Sequence, residues 1–349
     1  MTTTNTSVIK KLLLVFLVFA GLYFAKSFLM PLFIGGILAT LFLPFCRFME
    51  AKSLPKGLAV FICLLTFLLF ITTIIALLSW KISELVNNIA FIKQKAMESV
   101  INIQAYIFNH LGVSVEKQSQ IIKDEQPSIS GIMQALLGSV TYLFTNFILV
   151  LAYLFFILFY RGHIKNFLLR LTAPTQRNEM EQVISSATFV SQQYLLGLSK
   201  MIVCLWVMYG IGFSIIGVQN ALFFAILCGL LEIVPFVGNI TGTTLTVLVA
   251  ALHGENLSLL GGIVLTYGCV QFIQGWVLEP LILGPQVKIN PLFTIIALVI
   301  GDLIWGISGI ILAIPITAIF KIVCDHIEPL KPYGFLIGDI KTNKSGQAL

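Results

Sequence analysis

Apolar residues run along this chain in blocks of membrane-spanning length, separated by short polar turns. A helix needs about 20 apolar residues to cross the hydrocarbon core of a bilayer. Blocks at about 9–25, 28–46, 57–79, 139–160, 194–217 and 256–276 meet or approach that length, and each predicts a transmembrane helix. The first is short and also suits an interfacial entry helix. Two more apolar regions, 221–252 and 291–323, are too long for one straight span, and Gly and Pro interrupt each near its middle. They predict two broken, re-entrant helical hairpins. The expected fold is therefore an all-α polytopic membrane protein, with about six full spans and two such hairpins.

Two polar stretches stand between these blocks. In 80–138, Ile82, Leu85, Val86, Ile89 and Ile92 recur at helical spacing, and Gln118 to Ser130 is polar and turn-like. This segment reads as a helical extracytoplasmic insert, with an oligomer contact or a substrate vestibule as the sharper reading. The stretch 161–192 is amphipathic and reads as a cytoplasmic linker helix on the inner surface. The chain then divides into N-terminal helices (1–79), the insert (80–138), a span with its linker (139–193), a transport domain (194–323) and a cytoplasmic tail (324–349).

Composition excludes a soluble protein. Of 349 residues, 58% are hydrophobic and 10% charged, against about 25% charged in soluble domains. The mean hydropathy is +0.99. Charge then sets orientation, because Lys and Arg collect on the cytoplasmic side of short loops. If the spans alternate, Lys10, Lys11, Arg47, Lys52, Lys56, Arg161, Lys165, Arg170, Arg177, Lys321, Lys331, Lys341 and Lys344 share one side. Six basic residues fall on the other side, and five of those lie in 80–138 beside five acids. Both termini are therefore expected in the cytoplasm of a multi-pass protein of a bacterial-type inner membrane. Lys10 and Lys11 precede an apolar run without a small-x-small cleavage site, so that run reads as a first helix rather than a signal peptide. The six cysteines form no CxxC pair and read as small apolar fillers.

The informative chemistry lies in 194–323. ALFFAILCGLL (221–231) leads to Glu232, and PLFTIIALVIG (291–301) leads to Asp302. A Gly-containing break and a second apolar half-helix follow each acid. Helices break at membrane depth only where the freed backbone groups face protein or a water-filled cavity. Pro235 removes an amide donor, and Gly238, Gly306 and Gly309 permit tight turns; Gly238 and Gly306 are expected to hold backbone angles open mainly to glycine. Interrupted segments in corresponding halves point to a transport site. An acid at bilayer depth costs about 2.5–3.5 kcal/mol on insertion scales, so it persists where it has a use or a partner. Glu232 and Asp302 are the candidates for an ion pathway, Glu232 first, since burial disfavours the charged form and suits a carboxyl to proton exchange. Asn239 and Gln274 flank the breaks and join them; Glu279, Pro280 and Asn290 lie in the linker before the second break. Other Thr and Gln residues read as contacts between helices. The chain has no Walker A loop, HExxH, GxSxG or paired Cys/His pattern. It therefore reads as a protein without catalytic residues, metal or cofactor, and nothing suggests nucleic acid.

Three blocks in this region carry a resemblance. GLLEIVPFVGNITG (229–242) resembles the E-I-P-x-V-G block of the autoinducer-2 exporter family. QGWVLEPLILGPQVKINPL (274–292) resembles its second block, and LIWGISGIILAIPITAIFK (303–321) its third, a W-G-x-x-G followed by A-x-P. Order and spacing match, and the N-terminal spans and insert extend the likeness over nearly the whole chain. The resemblance implies a secondary transporter of the inner membrane, a homo-oligomer with a pentamer as the expected state, and an elevator-like movement of the broken-helix domain. Some members are tied to export of autoinducer-2 and others to sodium(lithium)/proton antiport. Asp302 departs from the family pattern, where its position is more often small or apolar, so the resemblance carries no role for it.

The leading reading is ion- or proton-coupled export of a small polar solute, with a monovalent cation or proton and the lipid bilayer as the other partners. Two alternatives stand beside it: a sodium(lithium)/proton antiporter using Glu232 and Asp302 directly, and a non-transporting scaffold whose segment 80–138 binds a partner. Broken helices with buried acids argue against the scaffold, which needs neither.

Overall fold

A computed structural model of the chain describes residues 2–87, 108, 129–234, 237–284 and 288–339. Most of the expected insert, 88–128 apart from residue 108, lies outside the described residues, as do Pro235 and Phe236. The described chain is all-α. Its elements are α1 (Thr2–Phe24), α2 (Lys26–Ala51), α3 (Lys56–Asn87), α4 (Ile129–Leu171), α5 (Arg177–Ile215), α6 (Ala221–Leu231), α7 (Val237–Leu252), α8 (Leu257–Ile273), α9 (Pro291–Trp305), α10 (Ile307–His326) and α11 (Lys331–Ile337). Among the described residues the β structure is a single bridge between Ile289 and Gly338.

Among the described residues, six helices are long and apolar enough to cross a membrane: Lys26–Ala51, Lys56–Lys81, Tyr142–Leu171, Pro174–Ile215, Leu257–Leu283 and Ile307–His326. The number agrees with expectation, but the membership differs by one. The apolar part of α1, Leu12–Phe24, is shorter than a span, whereas the second arm of the last hairpin is 20 residues long. The amphipathic stretch 161–192 forms no separate helix. It is shared between the end of α4 and the start of α5, which are 43 and 39 residues long. At 1.5 Å per residue these helices are about 65 and 58 Å long, well beyond a hydrocarbon core of about 30 Å.

Cross-links between helix ends sort the ends of the molecule into two sets. At one end, Arg161 of α4 pairs with Glu50 of α2, and Lys165 of α4 pairs with Glu181 of α5. Lys331, outside the spans, lies in the field of Glu179, and its hydrogen bond with Glu328 holds its ammonium above the usual lysine range. At the other end, Lys81 donates to Asn220 Oδ1 at 3.2 Å, and Trp305 Nε1 donates to the Leu22 carbonyl at 3.0 Å, near the last turn of α1. The C-terminal ends of α2 and α4 and the start of α5 thus lie together, and the end of α3 lies beside the start of α6. The α9–α10 hairpin leaves and returns on one side, because Asn290 N–H donates to Ile337 O at 3.0 Å and Asn290 Nδ2 to Leu336 O at 2.8 Å.

Two apolar cores hold the helices together. One joins α2, α3 and α4 through Cys46, Ala59, Val60, Cys63, Leu154 and Leu158. The other joins α5, the α6–α7 hairpin and α8 through Leu205, Tyr209, Phe213, Phe224, Cys228 and Ile263. All six cysteines are free thiols, and Cys46, Cys63, Cys228 and Cys324 are buried.

Candidate functional site

The first hairpin begins at Asn220, a left-handed residue at φ 58° that turns the chain into α6. Eleven mainly apolar residues follow, and α6 lies against α5, where Trp206 Nε1 donates to the Ile226 carbonyl at 3.1 Å. The helix ends at Leu231, although Glu232 N–H still donates to Cys228 O at 3.1 Å. The chain then folds back along itself as α7. The return is so close that a Cβ on Gly238 would sit 1.7 Å from the Leu231 carbonyl oxygen. Gly238 thus needs its missing side chain for close approach; its φ is not positive, contrary to the sequence expectation.

This fold-back buries Glu232 at the hairpin tip, 7% exposed, with Asn239 at 6% on the first turn of α7. Both are held by amides from α8 and its continuation. Gln274 Nε2 donates to Glu232 Oε1 at 2.9 Å. Asn239 Nδ2 donates to Gln271 Oε1 at 2.8 Å. Gln271 Nε2 lies 3.2 Å from both Gln274 Oε1 and the Tyr209 hydroxyl of α5. One connected network therefore spans the hairpin tip, α8 and α5. Among the described residues, three buried side-chain oxygens here have no protein partner: Glu232 Oε2, Asn239 Oδ1 and Thr243 Oγ1. Asn239 and Thr243 are four residues apart on α7 and so share a face. Buried polar atoms are nearly always satisfied, and each exception calls for an explanation.

The backbone beside this network is unusual. From Gln274 to Leu283 the helix widens into a π-helix containing Pro280. Proline lacks an N–H and clashes with the carbonyl four residues earlier; a wider ladder accommodates it, and π turns recur at functional sites. Here the widened turns present Gln274, Glu279 and Pro280 to a cavity of about 490 Å³. Glu232, Asn239 and Gln271 also line it, as do Tyr194 and Met201 of α5, Lys288 of the linker, and Thr294 of α9. That volume falls in the range of about 300–1,000 Å³ common for small-molecule sites. The cavity combines two carboxylates, one ammonium, several amides and apolar walls.

Not every expected residue reaches this place. Asp302 is exposed on the last turns of α9 and does not line the cavity. The two acids sit at matched offsets in sequence, but α6 stops at Leu231 whereas α9 continues to Trp305. Asp302 is therefore a helix-surface residue and Glu232 a tip residue. Asn290 caps α9 by accepting from Phe293 N–H at 2.9 Å and ties the linker to the C-terminal segment, rather than lining the cavity. Gly306 turns the second hairpin at φ 61°, ψ −141°, a region open mainly to glycine. Gly309 instead permits contact, since a Cβ there would lie 1.8 Å from the Gly301 carbonyl oxygen. From sequence alone Gln271 reads as an ordinary contact between helices. Its spacing of three from Gln274, on a shared helix face, is the signal that finds it.

The chain is similar to known proteins over almost its full length. A family model described as AI-2E family transporter matches residues 12–328. "Putative transport protein YueF" of Bacillus subtilis (strain 168) is 28% identical over 313 residues, covering 85% of this chain and 84% of that protein. "Putative transport protein YrrI" of the same organism is 23% identical over 312 residues, covering 86% and 87%. "Putative transport protein YhhT" of Escherichia coli (strain K12) is 21% identical over 324 residues, covering 91% and 90%.

Proposed function

The chain belongs to the AI-2E family of transporters, and from that premise we propose that it exports a small polar solute through the cavity beside Glu232, coupled to a proton or monovalent cation. The observation that carries this reading is the half-satisfied carboxyl group of Glu232. One oxygen is held by Gln274; the other is buried beside the cavity without a partner among the described residues. Ionised, that oxygen is an uncompensated charge or a cation ligand, and protonated it is a hydroxyl donor. Binding and release of a proton or cation there changes what the cavity can hold, which is the minimum a coupled exchanger requires. Autoinducer-2 is one solute of suitable class, in keeping with the family's name.

In this reading the protein sits in the bacterial inner membrane with both termini in the cytoplasm, supported by the division of basic residues. It acts as a homo-oligomer, with a pentamer implied by the family resemblance. The hairpins are the moving, re-entrant part, since broken helices at depth need a polar cavity to face. Sodium(lithium)/proton antiport is a second reading, favoured by the three unpaired oxygens of Glu232, Asn239 and Thr243.

Flux in proteoliposomes tests both readings. Glu232→Gln keeps size and the hydrogen bond but cannot titrate. The variant is expected to insert and fold normally, and to lose the pH dependence of transport. Uptake of sodium in exchange for protons, without solute flux, selects the antiporter. A wild-type rate and pH profile in Glu232→Gln removes Glu232 from the mechanism.

A further inference from the structure

A second cavity, about 440 Å³, lies at the other set of helix ends, where α2 and α4 finish and α5 begins. Arg47 of α2 lines it together with Arg161 and Lys165 of α4. On α5, Glu181, Ser185, Thr188 and Gln192 recur at helical spacing and turn one face toward it. Arg161 is paired with Glu50, and Lys165 with Glu181. These pairs fix both cations in the wall while leaving donors unused, since a guanidinium has five N–H groups and an ammonium three. Arg47 is exposed, and no ion pair neutralises it among the described residues. The cavity therefore has a surplus of one positive charge.

Its position narrows the ligand. α4 and α5 each exceed the bilayer thickness, and their joined ends carry Arg161, Lys165, Arg170 and Arg177. On the topology that the charge pattern implies, this end faces the cytoplasm, where anionic headgroups attract Lys and Arg. Beside the polar lining stand Leu43, Ile184 and Phe189, the last 58% exposed. We propose that this cavity holds the phosphodiester of an anionic phospholipid. Arg47, Arg161 and Lys165 donate to the phosphate oxygens, Ser185 and Gln192 meet the polar headgroup, and Phe189 lies along the first acyl carbons. Guanidinium forks suit phosphate geometry, and one phosphodiester charge balances the surplus.

Native mass spectrometry of the full-length protein tests this, with added phosphatidylglycerol or phosphatidylcholine of identical chains. Phosphatidylglycerol is expected to bind more tightly, and Arg47→Gln or Lys165→Gln to weaken it about fivefold each, from about 1 kcal/mol per basic residue. Ser185→Leu, which fills the cavity without altering charge, is expected to lower phosphatidylglycerol occupancy too. Arg47→Gln lies on an exposed helix surface and should leave the melting temperature unchanged. Equal binding of the two lipids, or a preference unaffected by all three variants, overturns the site. Displacement of phosphatidylglycerol by millimolar glycerol phosphate overturns the lipid as its source and assigns the cavity to a soluble phosphate.

Discussion

Among the described residues the Glu232 carboxyl takes its hydrogen bond from Gln274, so the two residues test each other. Gln274→Leu is close in volume but removes the donor, leaving a buried carboxyl and the Gln271 amide short of partners. A buried polar group stripped of its partner costs about 1–3 kcal/mol. The expected outcome is a lowered melting temperature in detergent and impaired transport, whereas Gln274→Glu keeps the length but sets two carboxyls face to face. Asp302→Asn offers the contrast. Its side chain is exposed and away from the cavity, so pH-dependent flux should remain within about twofold of wild type, the size of effect expected from surface substitutions. A collapse of coupling in Asp302→Asn with Glu232→Gln unaffected would reverse their ranking.

The two hairpins turn by different means. At Gly306 the obstacle to a side chain is the dihedral pair, for nothing lies within 4 Å of an added Cβ. At Gly238 and Gly309 the obstacle is an opposing carbonyl, at 1.7 and 1.8 Å. Gly306→Ala is therefore expected to cost about 1–3 kcal/mol of backbone strain and to remain partly active. Gly309→Val must push α10 off α9 and should abolish transport while membrane insertion continues. Thermal unfolding in detergent alongside flux checks the order, and a Gly309→Val variant as active and stable as wild type would show that the close α9–α10 contact is dispensable. The C-terminal segment has a comparable structural part. Asn290 caps α9 and reaches Leu336 and Gly338. Asn290→Ala should lose about 1 kcal/mol from the cap alone and expose the residues after His326 to proteolysis.

At the scale of the whole molecule, topology is the testable quantity. Counting spans by length alone takes in α10 and leaves out α1. Counting by charge keeps α1 as a crossing and treats α9–α10 as an out-and-back pair, which the bridge between Ile289 and Gly338 supports. The two schemes place Arg47, Lys52 and Lys56 on opposite sides relative to the C-terminal tail. Charge predicts them on the same side, with 80–138 outside. An impermeant thiol reagent on intact cells should reach Gln118→Cys, in a background lacking the native cysteines, and should miss a cysteine at Lys344. Labelling of Gln118→Cys only after lysis would invert the arrangement.

Periodicity and composition alone determined that this is an all-α membrane protein with two interrupted segments, because spans are long, local and governed by the cost of unpaired backbone in lipid. They also marked Glu232, Asn239 and Gln274, since polar groups at apolar depth are rare enough to stand out. They could not separate Glu232 from Asp302. Both follow eleven mainly apolar residues, and only the different lengths of α6 and α9 put one acid at a tip and the other on a helix surface. Nor could they join Gln271 and Tyr209 to the network, or bring Arg47, Arg161 and Glu181 around one cavity. Gln271 and Tyr209 are 62 positions apart, and Arg47, Arg161 and Glu181 stand on three different helices, so what decided these contacts is how the helices pack.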